Sequence, residues 1–260
     1  MSDAIVVVRR HGKNYVAKRV AADSHHDSER ANAELRTLRH IPRGQNLNYM
    51  IEHFWSPTRS HLTMILEYCD GGTLYDVVDS YRARGKELSE NFLIHAMHGV
   101  TNALVFLHDG IVDVRSSSRP ARGWTSICHL DMKPNNVFLS LSGVRGQFKR
   151  IVLGDFGASV SQHGMVRGSM PVLTPGWLPP EADSGTASRY GPATDIYQLG
   201  ALIQTLGRLI DEPDQSRLFS SAPLGSSYSR DLNDFVGELA ARDWRGRPDA
   251  RRVSSGISLS

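Results

Sequence analysis

Apolar positions recur along this chain with two different periods, and the switch between them divides it in two. Ile5 to Val8 is a β-branched run, Arg9-Arg10-His11-Gly12-Lys13 is polar with a turn glycine, and Tyr15 to Val20 resumes strand character. Residues 4–20 therefore predict a β-hairpin. Ala31, Leu35, Leu38 and Ile41 follow at helical spacing over about 28–41, and Pro42 stops the pattern. Leu62 to Tyr68 is strand-like again until Asp70-Gly71-Gly72 breaks it. Up to Gly72 the expectation is strand, strand, helix, strand: a small sheet carrying one helix.

Beyond Gly72 the period becomes helical. Leu93, Met97, Val100, Leu104 and Leu107 form one stripe of a long amphipathic helix opening near Ser89. Residues 195–210 carry little charge and predict a buried helix, and Leu232, Val236 and Leu239 mark a third. No internal repeat is visible. The polar end, Ser254 to Ser260, implies a final helix that is short or cut. Residues 109–126, with Arg115, Arg119 and Arg122, read as a solvated insertion rather than a basic docking surface, and residues 140–150 as a turn that lengthens a hairpin.

Composition narrows the function classes. Forty per cent apolar and 22% charged residues describe an ordinary globular protein. Thirty basic against 27 acidic residues, a net charge of +3, make no electrostatic claim on nucleic acid or a membrane surface. The two cysteines, Cys69 and Cys128, form no disulfide framework and suit a reducing compartment. No apolar run approaches the roughly 20 residues of a membrane helix, and the N-terminus is too short for a signal peptide. An intracellular location, cytoplasmic or nuclear, is expected.

The chemistry concentrates in His129-Leu130-Asp131-Met132-Lys133-Pro134-Asn135-Asn136 and, 19 residues after Asn136, in Asp155-Phe156-Gly157. Taken singly these residues are bland: a loop Asp before Lys-Pro is usually a turn or cap residue, and Asn-Asn tolerates left-handed geometry. In this order they supply two carboxylates, a lysine and an asparagine to one site. The first segment resembles the catalytic loop of eukaryotic protein kinases and the second their metal-binding triplet. The resemblance implies an α+β, two-lobed fold: a small sheet plus one helix in residues 1–69 and a mostly helical lobe in 70–260. It also implies an activity, transfer of the ATP γ-phosphoryl group to Ser/Thr hydroxyls of a protein substrate. In that reading Asp131 orients the attacking hydroxyl, Lys133 neutralises the moving phosphoryl group, and Asn136 and Asp155 hold Mg2+.

On the nucleotide side, Val16-Ala17-Lys18-Arg19 resembles the strand whose lysine touches the α- and β-phosphates, with Glu34 as the carboxylate that holds it. Leu66 to Leu74 resembles the hinge between lobes, where backbone groups of Glu67 and Cys69 meet the adenine edge and Leu66 backs the pocket. Ala17 and Phe138 would cover the adenine from its two faces. Thr174-Pro175-Gly176-Trp177-Leu178-Pro179-Pro180-Glu181 resembles the substrate-positioning stretch, and Thr174 in it, with Lys133 two residues after Asp131, resembles serine/threonine rather than tyrosine kinases. The resemblance further implies a buried Glu181–Arg247 ion pair, a brace from Asp195 to the catalytic loop, and core roles for Trp177 and Tyr197.

Two departures stand out. Aligning back from Lys18 places Asp3 or Ala4 where the family's Gly-rich loop ends, so the expectation is either an N-terminally truncated piece or a protein lacking that loop. Leu130 stands where most members have an arginine that pairs with a phosphorylated residue. Phosphorylation at Ser159, Ser161 or Ser169 is therefore not expected to control activity. The alternative these departures favour is a pseudokinase, a binding or scaffolding module. A small-molecule kinase of related fold fits less well, because Asp-Phe-Gly, Pro-Glu and Arg247 together build a protein-substrate groove. Within the family, the strings around Asp131 and Asp155 are similar to fungal NIMA-related kinases. Oligomeric state is not legible.

Overall fold

The computed structural model describes residues 4–43, 46–112, 119–141, 148–161, 174–184 and 190–257. Asp3, Arg115 and Ser169, named above, lie outside them, as do parts of the 109–126 and 140–150 loops. The predicted hairpin forms from β1 (Ala4–Arg10) and β2 (Lys13–Ala21), paired antiparallel from Ala4↔Arg19 to Arg10↔Lys13. Its turn is tight: His11 and Gly12 both take positive φ, 49° and 77°. That is the two-residue geometry matching strand twist, and Gly adopts it without a Cβ penalty. β2 also pairs with β4 (His61–Glu67), giving a four-stranded antiparallel sheet of order β1-β2-β4-β3.

The strand β3 (Met50–Trp55) was not expected from sequence. Glu52 and His53 interrupt its apolar run, and Phe54 stays 52% exposed. As an edge strand it needs only one partner and little burial, so it leaves almost no hydrophobic pattern.

Helix α1 (His25–His40) packs against the sheet. Ser24 caps it by accepting the Asp27 amide, and Ala31, Glu34, Leu35, Thr37 and Leu38 form its buried face. Glu34 is thus a carboxylate on an apolar face, which burial alone disfavours.

The second lobe is helical. α2 (Leu74–Ala83), also absent from the sequence reading, opens on a reciprocal Thr73–Asp76 capping box and buries only Leu74 and Val78. α3 (Glu90–Asp109) starts at Ser89 and buries the whole predicted stripe. It stops at Gly110, φ 70°, where a Cβ would sit 2.6 Å from the Trp124 ring. α4 (Pro192–Arg208) is buried from Thr194 to Gly207. α5 (Gln215–Leu218), α6 (Arg230–Leu239) and α7 (Ala250–Ile257) complete the lobe. α3 and α4 share its centre, with α7 packed on α3 and α6 on α4. No helix among the described residues is long and apolar enough to cross a membrane.

Two small ladders set the chemistry-bearing loops between the lobes. β5 (Ile127–Cys128) pairs with β8 (Val160–Ser161), and β6 (Val137–Ser140) with β7 (Arg150–Leu153). Residues 129–136 therefore run from β5 to β6, and residues 154–159 from β7 to β8. The two loops lie side by side.

Candidate active site

Lys18 and Glu34 reach one another from β2 and α1: Nζ lies 2.6 Å from Glu34 Oε1. The same nitrogen lies 2.7 Å from Asp155 Oδ1. Three side chains from sheet, helix and the 154–159 loop meet, although 137 positions separate Lys18 from Asp155. Burial alone would pull the Lys18 ammonium's pKa down, but the charges of Glu34 and then Asp155 outweigh it and hold it above the ordinary 10.5. For Asp155 burial pushes upward, but the Lys18 charge and hydrogen bond, His129 and the Gly157 amide together outweigh it, leaving the carboxyl below its ordinary 3.8. Lys18 and Asp155 are therefore both charged at neutral pH.

The 154–159 loop bends at Asp155 itself, whose φ of 60° places its side chain in a left-handed geometry uncommon for a non-glycine residue. Phe156 is buried behind it, edge-on to His129 at 5.3 Å. Ser159 donates to Phe156 O at 2.7 Å and bonds Thr37 of α1 at 3.0 Å. At 4% exposure, Ser159 offers no accessible hydroxyl for modification here.

Asp131 gathers a second cluster. Thr174 Oγ1 donates to its Oδ1 at 2.5 Å, and Lys133 Nζ lies 3.1 Å from the same oxygen and 2.8 Å from Thr174 Oγ1. Asn136 Nδ2 donates to Asp131 Oδ2 and to its backbone oxygen, both at 2.8 Å. Asp131, Lys133, Asn136 and Thr174 thus form one bonded set. The two clusters are tied through backbone and ring: Gly154 N donates to Asn136 O at 2.9 Å, and His129 Nε2 bonds Gly154 O at 2.9 Å.

The residues proposed for a cation fit one. With its amide nitrogen committed to Asp131, Asn136 has Oδ1 left as a cation ligand, and Asp155 has Oδ2 beside the oxygen on Lys18. Asp155 keeps a side-chain exposure of 42%, open to a ligand. No group of three or more His, Cys, Asp or Glu able to hold a metal occurs among the described residues. A sparse oxygen pair suits Mg2+, which binds through one or two protein oxygens with substrate phosphates and water supplying the rest.

The hinge segment is where the sequence reading needs qualification. Leu66 is buried at the end of β4, as expected of a residue backing a pocket. Glu67, however, already spends its amide on Tyr49 O at 3.0 Å, and its carbonyl accepts from Asn48 Nδ2 at 3.1 Å. Its side chain pairs with Arg150. Only the carbonyl's second lone pair remains for a ligand. Among the described residues nothing bonds the Cys69 backbone, while Asn48 lies 3.7 Å from its sulfur. Burial first, then Glu67, pushes the Cys69 thiol up to about 12, which rules it out as a nucleophile near neutrality. Ala17 lies buried in β2, and Phe138 in β6 packs on the Gly154 backbone, where a Cβ would meet its ring at 2.8 Å.

Behind the site, Asp195 of α4 is fully buried. Its carboxylate accepts the His129 and Leu130 amides, each at 2.9 Å, and bonds His108 Nε2 at 2.8 Å. Leu130, at φ 63°, is likewise fully buried. Glu181 and Arg247 form the expected buried pair through two 2.7 Å bonds, and Trp177 and Tyr197 are core aromatics. The sequence reading gave no role to His129, His108, Asn48 or Gln198. His129 stands inside the catalytic-loop string and Gln198 inside the string Asp195 to Gly200 that resembles the family's bracing helix start. His108 and Asn48 sit in helical or loop stretches with no chemical pattern to mark them.

A profile described as the protein kinase domain matches residues 2–255. This chain belongs to the protein kinase family. Its relatives include the serine/threonine-protein kinase Nek2 of Mus musculus, 29% identical over 85% of this chain and 48% of that protein. The G2-specific protein kinase nim-1 of Neurospora crassa is 29% identical over 87% of this chain and 28% of its own length. The G2-specific protein kinase nimA of Emericella nidulans is 27% identical over 72% and 29% respectively. The similarity to fungal NIMA-related kinases is thereby borne out, as is the α+β kinase fold. The kinase chain spans less than half the length of each of these relatives.

Proposed function

We propose that the chain is a serine/threonine protein kinase that transfers the γ-phosphoryl group of Mg-ATP to protein hydroxyls. The observation that carries this reading is Lys18 held between Glu34 and Asp155. Such a bridge is costly to bury and of no evident structural need, so a ligand bearing phosphates is its natural use. Bound Mg-ATP supplies the phosphoryl group and the metal's neutralisation of its charge. Lys18 orients the phosphates, with Glu34 fixing its flexible stem. Asp131, pinned by Asn136, accepts a hydrogen bond from a hydroxyl placed where Thr174 Oγ1 now donates, and so aligns it for in-line attack. Lys133, next to the same oxygen, adds positive charge where it develops.

A second reading, a binding module with the fold and no turnover, rests on Leu130 and on the already engaged Glu67 amide. Magnesium-dependent transfer of labelled phosphate to a generic basic protein decides between them. We expect incorporation by the wild type and its loss in Asp131→Asn and Lys18→Met. Incorporation unchanged by both substitutions refutes the site assignment, and none by the wild type favours the binding module.

A further inference from the structure

The loop carrying Asp131 makes no ladder of its own. Between β5 and the turn at Pro134–Asn136, its backbone amides are received by side chains: His129 and Leu130 by Asp195, Asp131 by the His129 ring at 3.3 Å, and Met132 by Gln198 Oε1 at 3.1 Å. Gln198 does more than accept. Its Nε2 donates to Leu130 O at 3.0 Å and makes a longer, 3.5 Å contact with Trp177 O. One amide therefore grips the backbone on both sides of Asp131 and reaches the stretch that follows Thr174.

The position explains how. Gln198 lies three residues after Asp195 in α4, so both side chains leave the same helix face and meet the same loop. Gln198 is wholly buried. A buried primary amide is stable only with its donor and acceptor used, and here both are. An apolar residue of equal length would fill the space as well, so packing alone does not ask for glutamine. Leu130, meanwhile, presents no charge to the 174–184 segment; Gln198 joins the two segments through hydrogen bonds that require no modification.

We propose that Gln198 is a positioning residue for phosphoryl transfer, an uncharged clamp that sets the Asp131 backbone and couples it to the substrate-positioning stretch at Trp177. The kinetic part of this proposal rests on the transfer reading above; the clamp itself does not. Gln198→Met keeps length and burial but removes every hydrogen bond. Amide hydrogen exchange resolved at Met132 reads the clamp directly. We expect strong protection in the wild type and exchange about tenfold faster in Gln198→Met, the equivalent of one lost hydrogen bond. Kinetically, kcat should fall about tenfold and the KM for the acceptor protein rise, while the Kd and stoichiometry for Mg-ATP stay constant. Loss of folded protein would lower that stoichiometry and leave the acceptor KM untouched. A Met132 amide unprotected in the wild type overturns the clamp, even if the variant does not fold. So does a Gln198→Met protein with wild-type exchange and kinetics. A wild type that transfers no phosphate overturns the transfer reading alone, and its Met132 exchange still decides the clamp.

Discussion

Replacing Arg247 by methionine should remove a large share of the fold's stability. The guanidinium is wholly buried and makes four hydrogen bonds: two of 2.7 Å to the Glu181 carboxylate, and one of 2.9 Å each to Ala193 O and Ala241 O. It also lies 5.0 Å from the Tyr197 ring centre. At an effective dielectric near 20, two charges about 4 Å apart attract by about 4 kcal/mol. Desolvation of both ions offsets most of that in the intact pair, so the pair's net worth is small. The cost appears when one partner is deleted, because Glu181, 4% exposed, is left buried without a counter-charge. Breaking such a pair costs about 3–5 kcal/mol. Against a total of about 5–15 kcal/mol for a domain, that is about a fifth or more. Equilibrium urea unfolding is the assay, comparing Arg247→Met, Glu181→Gln and the double variant. The double variant should be destabilised by less than the two singles added, because it strands no charge, with a coupling of about 0.5–3 kcal/mol. A loss below about 1 kcal/mol in Arg247→Met, or strict additivity, would refute the argument.

Lys18→Met should abolish the stabilisation of the fold by Mg-ATP seen in thermal melts and should alter the pH dependence of stability. Lys18 titrates above 10.5 in the folded chain, so its contribution is complete below 10.5 and fades as pH rises through the folded value. Asp155 titrates below 3.8, so its contribution is present above 3.8 and fades as pH falls through the folded value. The variant should show a shallower alkaline fade, since Cys69 and Tyr228 still titrate there, and a weaker acid one; identical limbs would count against the ion pair. Phosphatase treatment should leave transfer activity unchanged, since Leu130 provides no partner for a phosphate and Ser159 is enclosed; abolished activity would contradict this. Cys69 should react with alkylating reagents far more slowly than a free thiol at neutral pH, its pKa lying at about 12, and mass spectrometry of timed samples would reveal the opposite.

Legibility in the sequence followed the strength of periodicity and the rarity of motifs. α3 was readable because a 20-residue helix repeats its buried stripe many times, and α4 because its interior carries almost no charge. β3 and α2 were not, because an edge strand and a helix burying Leu74 and Val78 present too few apolar positions to register. In the site, Asp131, Lys133, Asn136 and Asp155 could be named together because their order is improbable by chance, and Glu34 because the resemblance of Val16–Arg19 to the family's lysine strand asks for a carboxylate near the apolar face of the following helix. Asn48, which occupies the Glu67 carbonyl, has no such mark: its role depends on a bend between α1 and β3 that propensity does not encode.

The same contrast explains where the accuracy of the site is stored. The residues expected to act on the transferred group and its acceptor lie on loops, and two of the loop positions, Leu130 and Asp155, adopt left-handed backbone that costs of order 1 kcal/mol each without support. Neither conformation can be sustained by its own loop, since residues 129–136 between β5 and β6 and residues 154–159 between β7 and β8 have no strand partner. The support comes from α4, whose Asp195 takes the Leu130 amide and whose Gln198 takes its carbonyl, so that the strained residue is bonded on both sides by one rigid, buried helix. His129 then passes the register to Gly154, the residue before Asp155. If this chain of contacts fixes both turns, Asp195→Asn should disturb Asp155 as well as the catalytic loop, because the altered amide must turn its NH2 group toward a donor N–H of His108, His129 or Leu130. Amide shifts in an NMR spectrum reaching Gly154 and Asp155 would show that propagation. Shifts confined to His129 and Leu130 would mean that the two loops are positioned independently.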